Sequence, residues 1–575
     1  MKYLVFLFLL FIAASGFSQQ PGWIWANGFG GTNGPEKAVD AVTDSNGFIY
    51  IVGTFESQSM ICGPTVLNNN GQVDFILVKF SPQGSIMWAL SFGNTNHDIV
   101  SGICVDNMNN IFISGYFKSQ SISIGSTQLL SSGDDDMFIS KISSGGQVLW
   151  AKSIGGSGSD QANSITCDQS GNIYFTGNFS SSTLEFDSAT VHRSVGLSDI
   201  FIAKYTSGGD LVWVESSEFD VNTSLAEAND IVMDNANNIC IGGSFSDNVY
   251  GAGGGTYIRF GSNIVTNKHT YTWSVYTDYY PTALLAKFDS DGNYISAYSD
   301  SAYYEALSIV ADQNNNIYAS FFIEGGIMIS LPYGAFSIVQ VNPAMELTWR
   351  KKPEGGGYNV CSDLAVDINN HIYASGFLSS PQMYFQYDTL TIDVFGGHHY
   401  YEMFVLKFDS YGDELWVRNF GGKLSDYASC ILPIDQESLY LIGSHESDSM
   451  FLGDKLLRNL SDTGSYHVHV MPDWRWRHPN IFIGKYSENF SAISGSGEAI
   501  HFKTYPNPAK QLLSIEGKDI QEVRLLNIKG QTMLKMNNDG KENLIQLQLG
   551  KYSPGIYIVK IITSKGSSSR KVVIN

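Results

Sequence analysis

The sequence has no long apolar run after its first residues, no basic surplus and no catalytic signature. Beyond the N-terminal stretch, no segment approaches the roughly 20 apolar residues that a membrane-spanning helix needs. Acidic residues outnumber basic ones by 55 to 34, which argues against the basic face of a nucleic-acid-binding protein. No nucleophile elbow, zinc-protease motif, P-loop or dinucleotide fingerprint occurs. We therefore expect no catalytic residue, no cofactor, no nucleic-acid partner and no transmembrane segment.

Cysteine is also scarce, with six residues in 575 and no C-x-x-C pair: Cys62, Cys104, Cys167, Cys240, Cys361 and Cys430. Cys104, Cys167 and Cys240 fall inside apolar, strand-like runs, where a free thiol packs as a small hydrophobic group. A secreted chain can oxidise its thiols, so disulfides remain the alternative. We predict that the cysteines are buried free thiols.

The N-terminus has the three parts of a secretory signal peptide. Lys2 supplies the charged region, residues 4–14 form an apolar run, and small residues lead to a cleavage site after Ser18. The sequence therefore predicts a signal peptide over residues 1–18 and a secreted or surface-attached mature protein.

The strongest feature of the sequence is an internal repeat. An apolar run ends at an Asp, an Asn- and Gly-rich turn follows, and a strand of alternating β-branched and aromatic residues begins. Seven copies start at Asp44, Asp106, Asp168, Asp234, Asp312, Asp367 and, more loosely, Asp435. Turn residues between two strand-like runs predict a β-hairpin in each copy.

Each copy continues with two more strands. The third has the pattern of DFILVKF from Asp74, and the fourth carries Trp88, Trp150, Trp213, Trp349 and Trp416, with Ser296 in the fourth copy. Four-stranded units repeated seven times predict a seven-bladed β-propeller over residues 19–493. The seventh copy lacks its Trp strand, so we expect residues 23–29, around Trp25, to close that blade, with residues 490–493 as the alternative.

The turn-and-strand signature, together with the paired glycines and Trp around it, resembles the SBBP-type β-propeller repeat. The resemblance covers roughly residues 20–490. It implies the fold and says little of function, because propellers host many activities.

A basic segment follows a small-residue linker at 494–502. Residues 500–575 hold 12 Lys and Arg against 5 Asp and Glu, whereas the chain as a whole has a net charge of −21. Short alternating strands over 503–575 predict a small, Ig-like β-sandwich, so the whole chain is expected to be all-β.

This last segment resembles the type A C-terminal sorting domain of type IX secretion substrates in Bacteroidetes. The motifs that carry the resemblance are a YPNPA segment, a GIYIVK strand and a basic, then apolar, end. Their residues are Tyr505, Pro506, Asn507, Pro508, Gly555, Tyr557, Lys560 and Lys571. The resemblance implies export, recognition by the type IX translocon and its shuttle, and attachment at the cell surface. The alternative is an ordinary sandwich domain.

The loops between the second and third strands point to a ligand site. The lengths of these loops, counted from the end of the second strand to the start of the third, are 21, 21, 22, 39, 14, 26 and 37 residues in the seven copies. The counts start at Gly53, Gly115, Gly177, Gly243, Phe321, Gly376 and Gly443. We interpret this as a face that is low at blade five and raised at blades four, six and seven. Aromatic and histidine side chains of the long loops are candidate contacts for a glycan or protein: Tyr276, Tyr279, Tyr280, His398, His399, Tyr400, Tyr401, His467, His469, Trp474 and Trp476. Alternatively, these rings pack within their own loops.

Three weaker patterns suggest cation binding. His467 and His469 would point to one side of a strand, where two rings can ligate a metal, although we expect none there. An acid precedes the first strand of most blades: Glu36, Asp98, Asp160, Glu227, Glu305 and Asp426. Such acids either surround the channel mouth or accept backbone N–H bonds in a turn. Asp289 to Gly292 reads as a short calcium loop or as a type I turn.

Two function classes remain open from the sequence. The leading hypothesis is a non-enzymatic surface scaffold for adhesion or for capture of a glycan or protein. The alternative is an exported polysaccharide hydrolase or lyase, which would need a cluster of acids or histidines in the central funnel.

Overall fold

The structure, a computed structural model, describes residues 22–574 with gaps at 188, 194–195, 220–223, 247–256, 267–280, 324–334, 356, 387, 393–399, 436, 453–454, 461–477, 489–501, 506–508, 528–531, 539–542, 554 and 564–565. The chain divides into two compact units, one of Gly22–Glu488 and one that includes Asn489–Asn575. All regular elements in the described residues are β-strands. The described residues include no helix long and apolar enough to cross a membrane.

The first unit contains 40 strands, which in chain order are β1 (Gly22–Gly31), β2 (Glu36–Thr43), β3 (Ile49–Phe55), β4 (Ser59–Cys62), β5 (Thr65–Asn68), β6 (Asp74–Phe80), β7 (Ile86–Phe92), β8 (Asp98–Val105), β9 (Ile111–Phe117), β10 (Ser121–Ile124), β11 (Thr127–Leu130), β12 (Asp136–Ile142), β13 (Val148–Ile154), β14 (Asp160–Cys167), β15 (Ile173–Phe179), β16 (Thr183–Phe186), β17 (Ala189–His192), β18 (Asp199–Tyr205), β19 (Leu211–Glu218), β20 (Leu225–Met233), β21 (Ile239–Ser246), β22 (Tyr257–Phe260), β23 (Asn263–Thr266), β24 (Thr282–Phe288), β25 (Tyr294–Asp300), β26 (Glu305–Ala311), β27 (Ile317–Ile323), β28 (Ala335–Val341), β29 (Leu347–Lys351), β30 (Asn359–Val366), β31 (Ile372–Leu378), β32 (Gln382–Tyr384), β33 (Thr389–Thr391), β34 (Glu402–Phe408), β35 (Glu414–Phe420), β36 (Asp426–Pro433), β37 (Ser438–His445), β38 (Ser449–Leu452), β39 (Lys455–Arg458) and β40 (Asn480–Ser487).

These strands form a series of antiparallel sheets with the same internal order. Sheets 1 to 6 are β2-β3-β6-β7, β8-β9-β12-β13, β14-β15-β18-β19, β20-β21-β24-β25, β26-β27-β28-β29 and β30-β31-β34-β35, and sheet 7 is β36-β37-β40-β1. The first strand of each sheet contacts the first strand of the next, and β36 of sheet 7 contacts β2 of sheet 1. The first strands therefore surround a common axis, which is a propeller-like arrangement.

The chain closes this circuit with its earliest described strand. β1 pairs antiparallel with β40, and Trp25 lies opposite Lys485 as Trp150 lies opposite Lys141 in sheet 2. The pairing confirms the prediction that the Trp25 strand completes the seventh unit. Residues 490–493, the alternative, lie outside the described residues.

The lysine and the tryptophan of the repeat link several sheets to the sheet that follows. The third-strand lysines of sheets 1 to 3 donate to turn carbonyls of the following sheet: Lys79 to Ser144, Lys141 to Ser207 and Lys204 to Ser290, at 2.9, 3.0 and 3.0 Å. Trp150 and Trp213 donate their indole N–H to the last two of these carbonyls, at 3.2 and 3.1 Å. The repeated Trp thus lies between sheets, as predicted, and it is not a surface platform.

A second set of contacts runs around the axis. Every first strand has a β-bulge, and the residue after each bulge forms what we call the belt: Asp40, Gly102, Ser164, Asp230, Ser308, Asp363 and Cys430. Asp40 accepts the N–H of Ile103 in sheet 2 at 3.1 Å, and Asp363 accepts that of Ile431 in sheet 7 at 2.8 Å. A bulge adds one residue and redirects the side chain that follows it. The belt side chains can therefore reach backbone groups of the neighbouring sheet.

Gly102 is the exception in the belt. It has no side chain, and a Cβ there would lie 3.1 Å from the backbone nitrogen of Ile165 in sheet 3. Between sheets 3 and 4, the belt residue Ser164 donates its hydroxyl to Asp230 at 2.8 Å. Gly102 can make no such side-chain bond between sheets 2 and 3.

Buried acids join the sheets at the end where the second strands finish and the third strands begin, which we call the loop face. Asp74 of sheet 1 and Asp98 of sheet 2 have no exposed surface, and each lies at the start of its strand. Burial raises the pKa of Asp74 to about 6, and the charge of Asp98 adds to the rise. Asp136 and Asp160 repeat this pair one sheet later, with the pKa of Asp136 again raised to about 6 by burial.

The acids predicted before the first strands therefore have a structural role in part. Asp98, Asp160 and Asp426 accept serine hydroxyls at 2.9, 2.6 and 2.9 Å, together with backbone N–H groups, which is the turn interpretation. Glu36 accepts the side-chain N–H of Asn480 at 2.7 Å. The two remaining acids were assigned wrongly. Asp160 lies two residues before Ala162, which is the last residue before the bulge of its strand. Glu227 and Glu305 lie only one residue before the equivalent alanines of their strands. These two glutamates are therefore one position further along the strand than Asp160.

The second unit has seven strands: β41 (Phe502–Tyr505), β42 (Leu512–Gly517), β43 (Ile520–Asn527), β44 (Thr532–Asn537), β45 (Leu544–Gln548), β46 (Gly555–Thr563) and β47 (Gly566–Ile574). They form two sheets, β41-β42-β45 and β44-β43-β46-β47. Leu513 and Ile515 of the first sheet share one core with Val523, Val559 and others of the second. Alternating buried residues on both sheets explain this two-layer arrangement.

None of the six cysteines is paired in this structure. Five are buried, and Cys167 is partly exposed. Cys361 and Cys430 direct their sulfur atoms at the carbonyl oxygens of Asp363 and Ala41, at 3.7 and 3.8 Å.

The closing strand provides a direct test of the circuit. Trp23 is 5% exposed and its ring centroid lies 5.0 Å from that of Phe420 and 5.4 Å from that of Tyr486. We expect Trp23→Ala to lower the free energy of unfolding by about 3–5 kcal/mol, because the cavity cannot fill. Ile24→Ala, next to it and 49% exposed, should change it by less than about 0.5 kcal/mol. Chemical unfolding curves check this, and equal effects of the two variants would contradict closure by β1.

The interface acids predict an unusual dependence on pH. Folding raises the pKa of the Asp74 carboxyl from its usual value near 4 to about 6. Such a carboxyl stabilises the fold fully when the pH is below about 4, and this contribution is lost as the pH rises through about 6. Asp74→Asn removes the charge. The side-chain oxygen of the variant can still accept the backbone N–H of Asn70, which lies 2.8 Å from the carboxylate oxygen of Asp74 in the parent. We expect the variant to be more stable than the parent by about 1–2 kcal/mol at pH 8 and equal to it at pH 4.

Urea unfolding at pH 4, 6 and 8 measures this difference. The exposed Asp187, which pairs with Lys152 at 2.7 Å, provides the control, because Asp187→Asn should bring no gain at pH 8. An Asp74→Asn protein that is less stable than the parent at pH 8 refutes the prediction.

Candidate functional site

The loop residues predicted to bind a ligand fall largely outside the described residues. This applies to Tyr276, Tyr279, Tyr280, His398, His399, His467, His469, Trp474 and Trp476. Tyr400 and Tyr401, which follow the two histidines of sheet 6, are described and are partly buried. The ligand site therefore stays a prediction for the long loops. Of the predicted contact residues, the structure describes Tyr400 and Tyr401.

The interpretation of the loop lengths as raised walls at blades four, six and seven stays a prediction, because much of these loops lies outside the described residues. In sheets 1 to 4, 6 and 7, the loop begins with a two-stranded hairpin: β4–β5, β10–β11, β16–β17, β22–β23, β32–β33 and β38–β39. The hairpin of sheet 1 pairs with β1 of sheet 7, where Gly30 lies opposite Ile61, and the hairpin of sheet 4 pairs with β19 of sheet 3. These two hairpins thus extend the outer edge of the preceding sheet.

A cluster of five aromatic rings lies at the loop face of sheets 5, 6 and 7. We call it the aromatic patch, and its members are Phe322, Tyr358, Phe377, Tyr401 and Tyr427. Phe322 and Phe377 stand near the ends of the second strands β27 and β31. Tyr427 lies on β36, and the other two precede β30 and β34. Three neighbouring sheets thus contribute to one surface near the axis.

The rings of the patch form a continuous series of edge and tilted contacts. Phe377 lies at its centre, with ring centroids of Tyr401 and Tyr427 at 5.2 and 5.1 Å and interplanar angles of 77° and 79°. Tyr358 contacts Phe322 at 5.5 Å and Tyr401 at 6.2 Å. These are the separations and angles that aromatic pairs prefer, so the patch is held rigid by its own packing.

The patch remains accessible from solvent. Tyr358 is 38% exposed, Phe377, Tyr401 and Tyr427 are partly exposed, and Phe322 at 7% forms the floor. Surface aromatics normally occur singly, whereas a contiguous, partly exposed group marks a place where another molecule can be bound. Ring faces and phenol oxygens together suit a sugar ring or an apolar side chain.

The charge beside the patch is weakly acidic. Burial raises the pKa of Glu446 to about 7, and Asp426 raises it further, whereas Lys37 opposes the rise. Burial also raises the pKa of the Tyr427 hydroxyl, and Glu446 adds to this effect. Near neutral pH the patch therefore carries a partly protonated carboxyl and neutral phenols, which favours an uncharged ligand.

The belt brings three carboxyls together around the axis. Burial raises the pKa of Asp40 and of Asp363 to about 7 and that of Asp230 to about 6. Repulsion by Asp363 and Asp230 adds to the rise at Asp40, and repulsion by Asp230 adds to it at Asp363. Sequence reasoning missed these residues, because an Asp inside a strand carries no signal until the bulge register is known. Each one accepts a backbone N–H of the next sheet, so each has a structural role already.

Cation sites predicted from the sequence gain no support from the residues that are described. Within those ranges, no group of three His, Cys, Asp or Glu side chains could hold a metal ion. Asp289 accepts the N–H of Asp291 and of Asn293 at 3.0 and 2.9 Å, which is the turn alternative. The Ser290 carbonyl of this turn already accepts the Lys204 ammonium.

The sorting-signal residues lie in the second unit. Tyr505 is 43% exposed and donates to Glu516 at 3.2 Å, whereas Tyr557 is 8% exposed and donates to the Ser553 carbonyl at 3.0 Å. Gly555 and Lys560 lie on β46, Lys571 lies on β47, and the two strands pair along their whole length. Pro506, Asn507 and Pro508 lie outside the described residues.

Comparison with known proteins identifies two segments. Residues 503–575 match the family described as the secretion system C-terminal sorting domain. Residues 149–178, which run from β13 to β15, match the β-propeller repeat family. Both resemblances predicted from the sequence are therefore confirmed.

More distant relatives add little. An uncharacterized WD repeat-containing protein of Acanthamoeba polyphaga mimivirus is 23% identical over 479 residues, which cover 70% of this chain and 34% of that protein. The chain thus spans about a third of the length of this relative.

Similar solved structures include an inactive virginiamycin B lyase from Staphylococcus aureus (10% identity, TM-score 0.33, 80% of this chain and 99% of that one). Another is the Pan2 WD40 domain from Neurospora crassa (7% identity, TM-score 0.35, 78% and 89%). Likeness at this level carries no argument about activity. The two family matches show that the chain carries a β-propeller repeat and a type IX secretion C-terminal sorting domain, which indicates export to the cell surface or the medium.

Proposed function

We propose that this chain is a non-enzymatic surface scaffold, in which a seven-bladed propeller carries a glycan-binding or adhesive site and a small Ig-like sandwich directs export. The signal peptide at 1–18 and attachment to the outer membrane belong to this proposal. The observation that carries the binding role is the aromatic patch, a rigid, partly exposed group of five rings on the face from which the long loops leave.

The chemistry of the patch favours a carbohydrate over other ligands. Ring faces stack on the apolar side of a sugar, and phenol hydroxyls at the rim can bond to its hydroxyl groups. The acidic balance of the chain and Glu446 disfavour an anionic ligand. The histidine and aromatic residues of segment 393–399 directly precede Tyr400 and Tyr401, so the loop of sheet 6 is attached at the patch.

A polysaccharide hydrolase or lyase is the second candidate, and one observation favours it. Asp40, Asp230 and Asp363 surround the axis with pKa values raised to between about 6 and 7, the range suited to general acid–base catalysis. Their bonds to backbone N–H groups place them in the framework of the sheets, which makes the binding role the stronger proposal.

Substitutions in the patch test the binding role. We expect Tyr358→Ala with Tyr401→Ala to weaken binding of a glycan found by array screening at least tenfold, or about 1.4 kcal/mol, by isothermal titration. Tyr411→Ala is the matched control, because this tyrosine is 81% exposed in the turn of sheet 6 between β34 and β35, away from the loop face.

The same proteins distinguish the glycan-binding scaffold from the enzyme and from a protein-binding scaffold. Release of reducing sugar ends during incubation, abolished in Asp363→Asn with binding retained, would establish the enzyme in place of the scaffold. A protein ligand lost in the double variant would support adhesion to protein. Equal glycan affinity of all variants would remove the patch from the site.

Export is tested with the second unit. We expect a fusion of a reporter to residues 500–575 to reach the medium or cell surface of a type IX host when a signal peptide precedes it. The same fusion in a strain without the translocon should stay in the periplasm. Periplasmic retention in both strains, measured by fractionation and blotting, is the contradictory result.

A further inference from the structure

Two of the six free thiols lie side by side where two sheets meet. Cys104 is near the end of β8 in sheet 2, and Cys167 is the last residue of β14 in sheet 3. The two first strands contact each other, and Cys167 packs against the core cluster that contains Cys104. Burial raises the pKa of the Cys104 thiol well above its usual value, and the neighbouring Cys167 thiol adds to the rise.

This pair occupies the one junction that lacks a belt side chain. Gly102, two residues before Cys104, is the belt position that cannot reach the next sheet, and the other belt positions have side chains that bond across their junctions. A covalent bond between Cys104 and Cys167 would supply a link between sheets 2 and 3 within two residues of the missing one.

The compartment supplies the chemistry for such a bond. The sorting domain indicates export, and exported proteins pass through an oxidising environment in which disulfides form and persist. Cys104 is 8% exposed, whereas Cys167 is partly exposed and is the thiol that an external oxidant can meet.

We propose that Cys104 and Cys167 form a disulfide in the exported protein and that this bond joins sheets 2 and 3. The oxidant is a disulfide, either of a thiol–disulfide exchange protein or of oxidised glutathione. The Cys167 thiolate attacks one of its sulfurs, a mixed disulfide forms, and the first oxidant thiolate leaves. The Cys104 thiolate then attacks Sγ of Cys167, and the second oxidant thiolate leaves. Two protons and two electrons pass to the oxidant, which ends as two thiols.

The bond is detected by counting thiols. The mature full-length chain is made in an oxidising periplasm and in a reducing cytosol, denatured without reductant and alkylated with iodoacetamide. We expect four alkyl groups on the periplasmic protein and six on the cytosolic one. A tryptic digest of the former should contain peptide 80–118 joined to peptide 153–193, which carry Cys104 and Cys167.

Two variants make the assignment specific. Cys104→Ala should lose the linked peptides and take five alkyl groups. Cys240→Ala removes a buried thiol of sheet 4, so it should keep the linked peptides and take three.

Thermal unfolding tests the consequence. Reduction should lower the midpoint of the periplasmic protein by roughly 3–6 °C, because the bond restricts the unfolded chain between residues 104 and 167. The midpoint of Cys104→Ala should not respond to reductant. Six alkyl groups on the periplasmic protein, a link to a different cysteine, or a midpoint indifferent to reduction would each overturn the proposal.

Discussion

The first unit depends on polar contacts from each sheet to the backbone of the next. A lysine ammonium and an indole N–H from one sheet meet a turn carbonyl of its neighbour, as Lys141 and Trp150 meet Ser207. Closer to the axis, belt side chains such as Asp363 accept a backbone N–H of the following sheet. Apolar packing between sheets has no direction, so these bonds are what fixes the register of one sheet on another.

The same contacts explain which residues the repeat keeps and which it varies. In sheet 5, Gln340 replaces the lysine and still reaches the Ser410 carbonyl, at 3.4 Å, while Trp349 donates to the same oxygen. In sheet 4, Lys287 pairs with Asp234 at 2.9 Å, and Ser296 replaces the tryptophan. The lysine and tryptophan links lie at the turns between the third and fourth strands, whereas the aromatic patch lies on the loop face.

The sequence allowed the repeat, the strand order and the closure by Trp25 to be predicted, because turn residues and alternating strands are local signals. It did not reveal the bulges, since one extra residue leaves the composition unchanged while shifting every later side chain. Glu227 and Glu305 were assigned wrongly because they precede the repeat Asp by seven residues, whereas Asp98 and Asp160 precede it by eight. The patch was missed because Phe322, Phe377 and Tyr427 belong to different sheets, and only the circuit brings them together.

The pairing of β1 with β40 also sets an order of events during folding. The two partners are separated by nearly the whole unit, from Gly22 to Ser487, so the circuit cannot close before the last strands have been made. Until then, β1 lacks its β40 partner and Trp23 lacks the Tyr486 ring that it packs against. Contacts between residues far apart in sequence form slowly, so we expect closure of the circuit to be a late step in folding of the unit.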